Sequence, residues 1–275
     1  MFKTRLISGI FLIAAAAASF ALGGPVLFGV LLVISLIGMQ ELYRAAGVVE
    51  GGFSPLSLVG MAGAAGYYVL VWFGLDGYEL PVLAVTLNVL MAVYVLRWPG
   101  YDYRQVMAAF FGIVYVPVML SFIYKTRMLD GGAFTVWLIL ICSWGCDTCA
   151  YCAGMLFGKH KMAPNLSPKK SVEGAVGGVI GAGLLGALFG VISGRFGGST
   201  LPGRAPVAEY VIICVVGALI SMVGDLAASA IKRNAGIKDY GTLIPGHGGI
   251  LDRFDSVIFT APVIWLLASL LLKTQ

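Results

Sequence analysis

Long apolar runs dominate the chain, and none of them alternates. Nine stretches are apolar almost throughout, at about 5–22, 25–45, 55–74, 80–97, 105–124, 133–157, 174–194, 208–232 and 255–272. A run of roughly 18–25 residues crosses ~30 Å of hydrocarbon as an α-helix. A membrane-spanning strand would be about half as long and would alternate apolar with polar positions. The pattern therefore predicts an all-α polytopic membrane protein with about nine transmembrane helices. The third run is the weakest, diluted by Gly60, Gly63 and Gly66. No long polar segment separates the runs, so no appended soluble domain is expected. The first run follows Lys3 and Arg5 and has small residues around Ser19 and Ala21, which imitates a signal peptide. Its length, and the spans behind it, favour an uncleaved first helix.

Composition sharpens this picture. Of 275 residues, 59% are hydrophobic and 11% charged, where a soluble domain carries about a quarter charged residues. The charges that remain are unevenly placed. With nine spans, the side holding the N-terminus carries thirteen basic residues: Lys3, Arg5, Arg44, Arg97, Arg104, Lys159, Lys161, Lys169, Lys170, Lys232, Arg233, Lys238 and Arg253. The other side carries five: Lys125, Arg127, Arg195, Arg204 and Lys273. Basic loops stay in the cytoplasm, so the N-terminus is predicted to be cytoplasmic. Such a face suits anionic lipids or a site for phosphates.

The acids decide between these. Spans one to five carry almost no charge in their interiors, whereas polar residues gather in 147–173 and 225–255. We expect an N-terminal transmembrane scaffold of about five spans, 1–130, and a catalytic transmembrane half, 131–275. Asp225 lies inside a span, with Ser229 and Lys232 at i+4 and i+7 on the same helical face. An acid in a span costs ~2.5–3.5 kcal/mol on the insertion scale and normally lines a polar cavity. A structural acid paired to a neighbouring base is the alternative. Beyond it come Lys232, Arg233, Lys238 and Asp239, then the turn Pro245-Gly246-His247-Gly248-Gly249, then Asp252, Arg253 and Asp255. Glycines let backbone N–H groups close on a ligand, and exposed amides bind anions. Asp252 and Asp255 can both face one cation, and Mg²⁺ prefers one or two carboxylates with phosphate oxygens and water. Together these residues describe a metal–phosphate site. His247 is open between acid–base catalyst, phosphate donor and turn-stabilising hydrogen bonder, with the last two favoured.

The run Ser229-x2-Lys232-Arg233-x4-Lys238-Asp239-x-Gly241-x3-Pro245-x-His247-Gly248-Gly249-x2-Asp252-Arg253-x-Asp255 resembles the signature of phosphatidate cytidylyltransferases, also called CDP-diacylglycerol synthases. The approach Gly224-Asp225-Leu226-x2-Ser229 fits as well. So does a second segment, 147–174, in which Asp147, Tyr151 and then Ser167, Pro168 and Lys170 match an Asp-Thr/Ser-x-x-Tyr helix followed by a Ser-Pro-x-Lys loop; Ser171 stands where threonine is commoner. The first 130 residues are similar to the family only in length and hydropathy. The resemblance implies that CTP and phosphatidic acid give CDP-diacylglycerol and pyrophosphate, in a homodimer using a divalent metal. It makes Asp225 and Asp252 the best ligands for Mg²⁺; whether a second, monovalent cation joins it stays open. The expected place is a bacterial inner (cytoplasmic) membrane, with the active site facing the cytoplasm.

That chemistry suits the residues. The lipid phosphomonoester has its second pKa near ~6 and is largely dianionic at pH 7, so it attacks without a general base. Charge and alignment are what the protein must supply. Asp225 and Asp252 are expected at the metal, with Asp239 and Asp255 in support. Lys232, Arg233, Lys238 and Arg253 would neutralise the triphosphate, alongside Gly248 and Gly249, and Ser167 and Lys170 would grip a phosphate. Asp147 lies about 15 Å from the end of its span near Phe157, and Asp225 about 10 Å from the end of its own. Both acids are thus expected to line one cavity, with Tyr151 one turn beyond Asp147.

Other signals are discounted. Gly181-Ala182-Gly183-Leu184-Leu185-Gly186 fits a dinucleotide pattern, but it lies in a span with no preceding strand and reads as close helix packing. No P-loop is present in the sequence. Cys142, Cys146 and Cys149 share one helical face, with Cys152 displaced, and read as small apolar packers rather than metal ligands. A CTP-dependent lipid kinase or a cytidylyltransferase for another lipid phosphate is the nearest rival. An anion transporter is further off, since no internal repeat joins the two halves. Nothing points to nucleic acid.

Overall fold

The computed structural model describes residues 2–196 (side chains from Ser8 onward), 205–246 and 248–272. It is helical nearly throughout. The helices are α1 (Phe2–Leu22), α2 (Gly24–Ala45), α3 (Pro55–Phe73), α4 (Asp76–Leu96, opening with a 3₁₀ turn), α5 (Tyr103–Arg127), α6 (Gly132–Phe157), α7 (Val172–Arg195), α8 (Val207–Asn234) and α9 (Leu251–Leu271). Among the described residues, eight of them, α2 to α9, are long and apolar enough to cross a membrane, and the apolar stretch described in α1, Ser8–Leu22, is shorter. An all-α polytopic membrane protein is what the apolar runs predict, and every predicted run coincides with a helix to within a few residues.

The helix boundaries have local causes. Ser54 caps α3 reciprocally with Ser57, and Asp102 caps α5 reciprocally with Gln105, which satisfies backbone donors that a helix start leaves open. α5 widens into a π-helical turn at Val114–Val118 around Pro117, whose missing N–H cannot continue the ladder. α6 has a second such turn, Ile141–Gly145, immediately before Asp147. Wide turns of this kind are frequent at functional sites.

The chain packs as two compact units. The first comprises residues 1–121 and 234–253. Tyr43 is its buried hub: its hydroxyl donates to Ala109 O at 2.7 Å, and its ring lies against Gly60 and Gly112, where any Cβ would collide with it. The oxygens of Ser35 and Tyr68 share a hydrogen bond of 2.8 Å between α2 and α3. α4 buries only Thr86 and Leu90 and leaves Leu80, Val85, Val89, Val95 and Leu96 exposed. A helix that is apolar all round and exposed over most of its face suits hydrocarbon, not water.

The second unit comprises residues 122–233 and 254–275. α6 and α7 are pressed together through glycines. A Cβ on Gly177 would run into Ala153, and one on Gly178 would lie 3.0 Å from Cys146 Sγ. Gly181 faces Cys149 and Gly186 faces Cys214. The glycine pattern of 181–186 is therefore close packing between helices, and the cysteines are the small partners that fill the opposite side. None of the five cysteines is in a disulfide among the described residues. We expect Gly177→Val to overpack this seam at a cost of about 1–3 kcal/mol, read as a lowered thermal midpoint of the detergent-purified protein. An unchanged midpoint would show that the two helices can separate cheaply.

Between α6 and α7 the sequence predicts only a loop. The structure has a small antiparallel hairpin, β1 (Lys161–Ala163) and β2 (Ser167–Ser171), in register at Lys161 with Ser171 and Ala163 with Ser167.

Candidate active site

In the second unit, the hairpin is tied to the helix that follows it. The Ser171 hydroxyl accepts from Gly174 N–H at 3.1 Å and caps α7, which explains why a hydroxyl residue stands there. Glu173, in the first turn of α7, accepts from the backbone N–H of Lys159 at 3.0 Å and lies 2.6 Å from His160 Nδ1. Its carboxylate thereby holds the foot of β1. Glu173 and His160 belong to no motif read from the sequence, and the acid three residues after Ser-Pro-x-Lys is the available signal for Glu173.

The anchored hairpin presents Lys169 and Lys170 to a cavity of about 460 Å³, which Asp147, Tyr151, Met155, Met162, Met222 and Asp225 also line. Asp147 and Asp225 thus share one cavity. Lys170 and Asp225 form an ion pair, each side chain about a quarter exposed. Gly224 lets α8 come close to α9 beside Asp225, since a Cβ there would lie 2.9 Å from Asp255 O. The Asp255 carboxyl is buried, accepts from Ser256 N–H at 2.8 Å, and is within electrostatic range of Asp225, Lys232 and Asp147. Ser167, Ser229 and Lys232 are half-buried and Arg233 is exposed; none of the four lines this cavity. Its walls are mainly apolar with charge concentrated around Lys170 and Asp225, a character that suits an amphiphile with an anionic head.

In the first unit, a cavity of about 510 Å³ is lined by Lys238, Asp239, Gly241, Thr242, Ile244, Gly246, Gly248 and Arg253. Here the turn geometry needs glycine. Gly246 and Gly248 have φ of 78° and 86°, in the left-handed region that side chains disfavour, and Ile244 N–H donates to Gly248 O at 2.8 Å across the turn. Asp252 is buried, and its Oδ2 accepts from Tyr240 N–H at 2.8 Å and Gly249 N–H at 2.9 Å. One carboxylate oxygen therefore ties both Tyr240 and Gly249 to the start of α9. His247 lies outside the described residues.

One further acid in this unit belongs to none of the sequence motifs. Glu41, on α2, is 4% exposed, and its two oxygens accept from Ile250 N–H at 3.0 Å and Leu251 N–H at 2.8 Å. The quiet of the first five spans has this exception, and it belongs to the candidate site. Its signal was slight: a lone glutamate inside an apolar run, in the stretch Gln40-Glu41-Leu42-Tyr43-Arg44.

Among the described residues no set of three or more histidine, cysteine, aspartate or glutamate side chains converges as a metal cage. Mg²⁺ does not require one, because substrate phosphates and water complete its shell. The hard oxygens of Asp147 and Asp225 in one cavity fit such an ion.

A profile of the cytidylyltransferase family matches residues 3–271. A phosphatidate cytidylyltransferase of Haemophilus influenzae is 31% identical over 286 residues, covering 95% of this chain and 96% of its own. The chain belongs to the cytidylyltransferase family. A second family member named phosphatidate cytidylyltransferase, from Staphylococcus haemolyticus, is 29% identical over 96% of this chain and 98% of its own. One from Mycobacterium bovis is 36% identical over 63% of this chain and 54% of its own. The family match spans both units of the chain, including the first 130 residues, where the sequence motifs gave only length and hydropathy.

Proposed function

We propose that this chain transfers CMP from CTP to phosphatidic acid, giving CDP-diacylglycerol and pyrophosphate, and so serves phospholipid biosynthesis. The observation that carries the reading is the pair of cavities of opposite character. One is polar and lined by Lys238, Arg253 and a glycine turn; the other is mainly apolar with Lys169, Lys170, Asp147 and Asp225. The first suits a nucleoside triphosphate and the second a lipid phosphate, and the end-to-end likeness to bacterial phosphatidate cytidylyltransferases supports both.

In this reading a phosphate oxygen of phosphatidic acid attacks the α-phosphorus of CTP. The new P–O bond forms as the bond from that phosphorus to the β-bridging oxygen breaks, and pyrophosphate leaves with the electron pair. No proton moves at the nucleophile, since the phosphomonoester is largely dianionic. Lys238 and Arg253, with Lys232 and Arg233, offset the charge of the triphosphate and of the departing pyrophosphate. The amides around Gly248 and Gly249 cradle phosphate oxygens, and His247 donates there or stiffens the turn. Lys170 leaves its pairing with Asp225 to grip the lipid phosphate, with Ser167 and Ser229 close in sequence to the same motifs. Asp225 and Asp252 are the residues that would hold Mg²⁺, with Asp147, Asp239 and Asp255 in support. When bound, such an ion neutralises phosphate charge and aligns it for in-line displacement. Tyr151, at the mouth of the apolar cavity, packs beside the lipid head.

The basic-loop count supports a cytoplasmic N-terminus, α1 as a ninth span, and a site that faces the cytoplasm of a bacterial inner membrane. The division into a scaffold, 1–130, and a catalytic half, 131–275, stands as part of the proposal with Glu41 added to the site. So does the homodimer, which crosslinking in membranes tests.

The deciding experiment supplies purified protein with phosphatidic acid and CTP labelled at the α- or γ-phosphate. We expect α-label in the lipid, and loss of transfer when EDTA removes divalent metal and recovery when Mg²⁺ is returned. Label arriving from the γ-phosphate would identify a lipid kinase instead, and absence of lipid labelling under any metal would overturn the reading.

A further inference from the structure

We infer that Glu41 is a positioning residue for the reaction: from α2 it holds the glycine turn of the polar cavity, and it is the reason that position 249 is glycine. Both of its oxygens are used on consecutive amides, Ile250 and Leu251, at the opening of α9. A helix start leaves such N–H groups without intrahelical partners, and a buried carboxylate is well placed at the positive end of the helix. Asp252 grips the same segment at Tyr240 and Gly249. Two carboxylates thus pin four amides of the stretch that carries Lys238, Asp239, Gly248 and Arg253. Asp252 ties together residues 3 and 12 positions away from it, whereas Glu41 fastens the turn to a helix 209 residues away.

Position 249 shows what the contact demands. The three atoms that a Cβ there would approach most closely all belong to the carboxylate of Glu41. Gly249 is not among the glycines with positive φ, so its backbone would accept a side chain. Gly248 differs, since its φ of 86° needs glycine by itself. The glycine at 249 is therefore explained by Glu41 and not by the turn.

The kinetic consequence rests on the reading of this cavity as the nucleotide side. Glu41→Gln keeps the shape but accepts with one oxygen and turns an amide N–H₂ toward the second donor. In the purified protein we expect hydrogen exchange at amides 249–251 to quicken by about tenfold or more. We expect kcat/KM for CTP to fall by roughly 10–100-fold, as for other supporting carboxylates, with KM for phosphatidic acid within about twofold. Gly249→Ala should mimic this loss in the wild-type background. It should cost little more once Glu41→Ala has cleared the space, so the double variant matches Glu41→Ala alone. Unchanged exchange in Glu41→Gln, or additive losses in the double variant, overturns the inference. Quickened exchange and non-additive losses that fall on phosphatidic acid rather than CTP leave Glu41 as a positioning residue and overturn the nucleotide assignment of the cavity.

Discussion

Asp225→Asn is expected to abolish CMP transfer while leaving the protein extractable and folded. The two expectations separate because they rest on interactions of different size. Asp225 is about a quarter exposed and paired with Lys170, and pairs with access to solvent contribute at most about 1 kcal/mol. Asparagine keeps the size of the side chain and one acceptor, so little packing is lost. Turnover responds differently. Removing one preorganised electrostatic contact from a reacting centre costs on the order of 10²–10³-fold, and a carboxylate that also holds the metal should sit at or beyond the top of that range. A 10³-fold loss corresponds to about 4 kcal/mol of transition-state stabilisation, well above anything the ion pair gives to folding. Measured turnover within about tenfold of wild type, in a variant with unchanged thermal midpoint, would falsify the assignment of Asp225.

The second large effect is at Asp252, where asparagine and alanine should part company. A single oxygen, Oδ2, accepts from both Tyr240 and Gly249, and an asparagine side chain still has one oxygen to place there. Asp252→Asn should therefore preserve slow hydrogen exchange in segment 240–249 and yet lose activity by about 10³-fold, because the charge and the second oxygen are gone. Asp252→Ala should lose both, since two buried amides are orphaned at about 1–3 kcal/mol each. If the asparagine variant works nearly as well as wild type, Asp252 organises the turn and does nothing for the metal.

How much of this was legible in the sequence depends on the distance over which each feature is decided. The helices were readable because their signal is local: an apolar run of sufficient length has only one way to satisfy its backbone in hydrocarbon. The Asp225-to-Asp255 run stood out because its acids, bases and glycines lie within 31 residues of sequence. The common cavity of Asp147 and Asp225 followed from two depths reckoned along two helices. The hairpin was missed because Lys161–Ala163 and Ser167–Ser171 are too short and too polar to show a strand period. The allocation of segment 234–253 to a unit with the first 121 residues left no trace, since packing between distant segments is written in shape rather than in motif. Glu41 was missed for the same reason: only the amides of Ile250 and Leu251 make it more than a stray charge.

That last contact also sets an order of events during synthesis. Glu41 leaves the ribosome 209 residues before the amide of Ile250 that it will hold. At about 5–20 residues per second, the glutamate waits roughly 10–40 s inside an apolar helix without its partners. An acid one turn from the end of a span carries part of the ~2.5–3.5 kcal/mol that a charge costs at a span's centre on the insertion scale, so α2 has reason to stay shallow or near the translocation machinery until α9 begins. The first unit is thus a ring that the ribosome closes late, and a chain truncated before residue 250 should hold α2 in the membrane less firmly than the full-length protein.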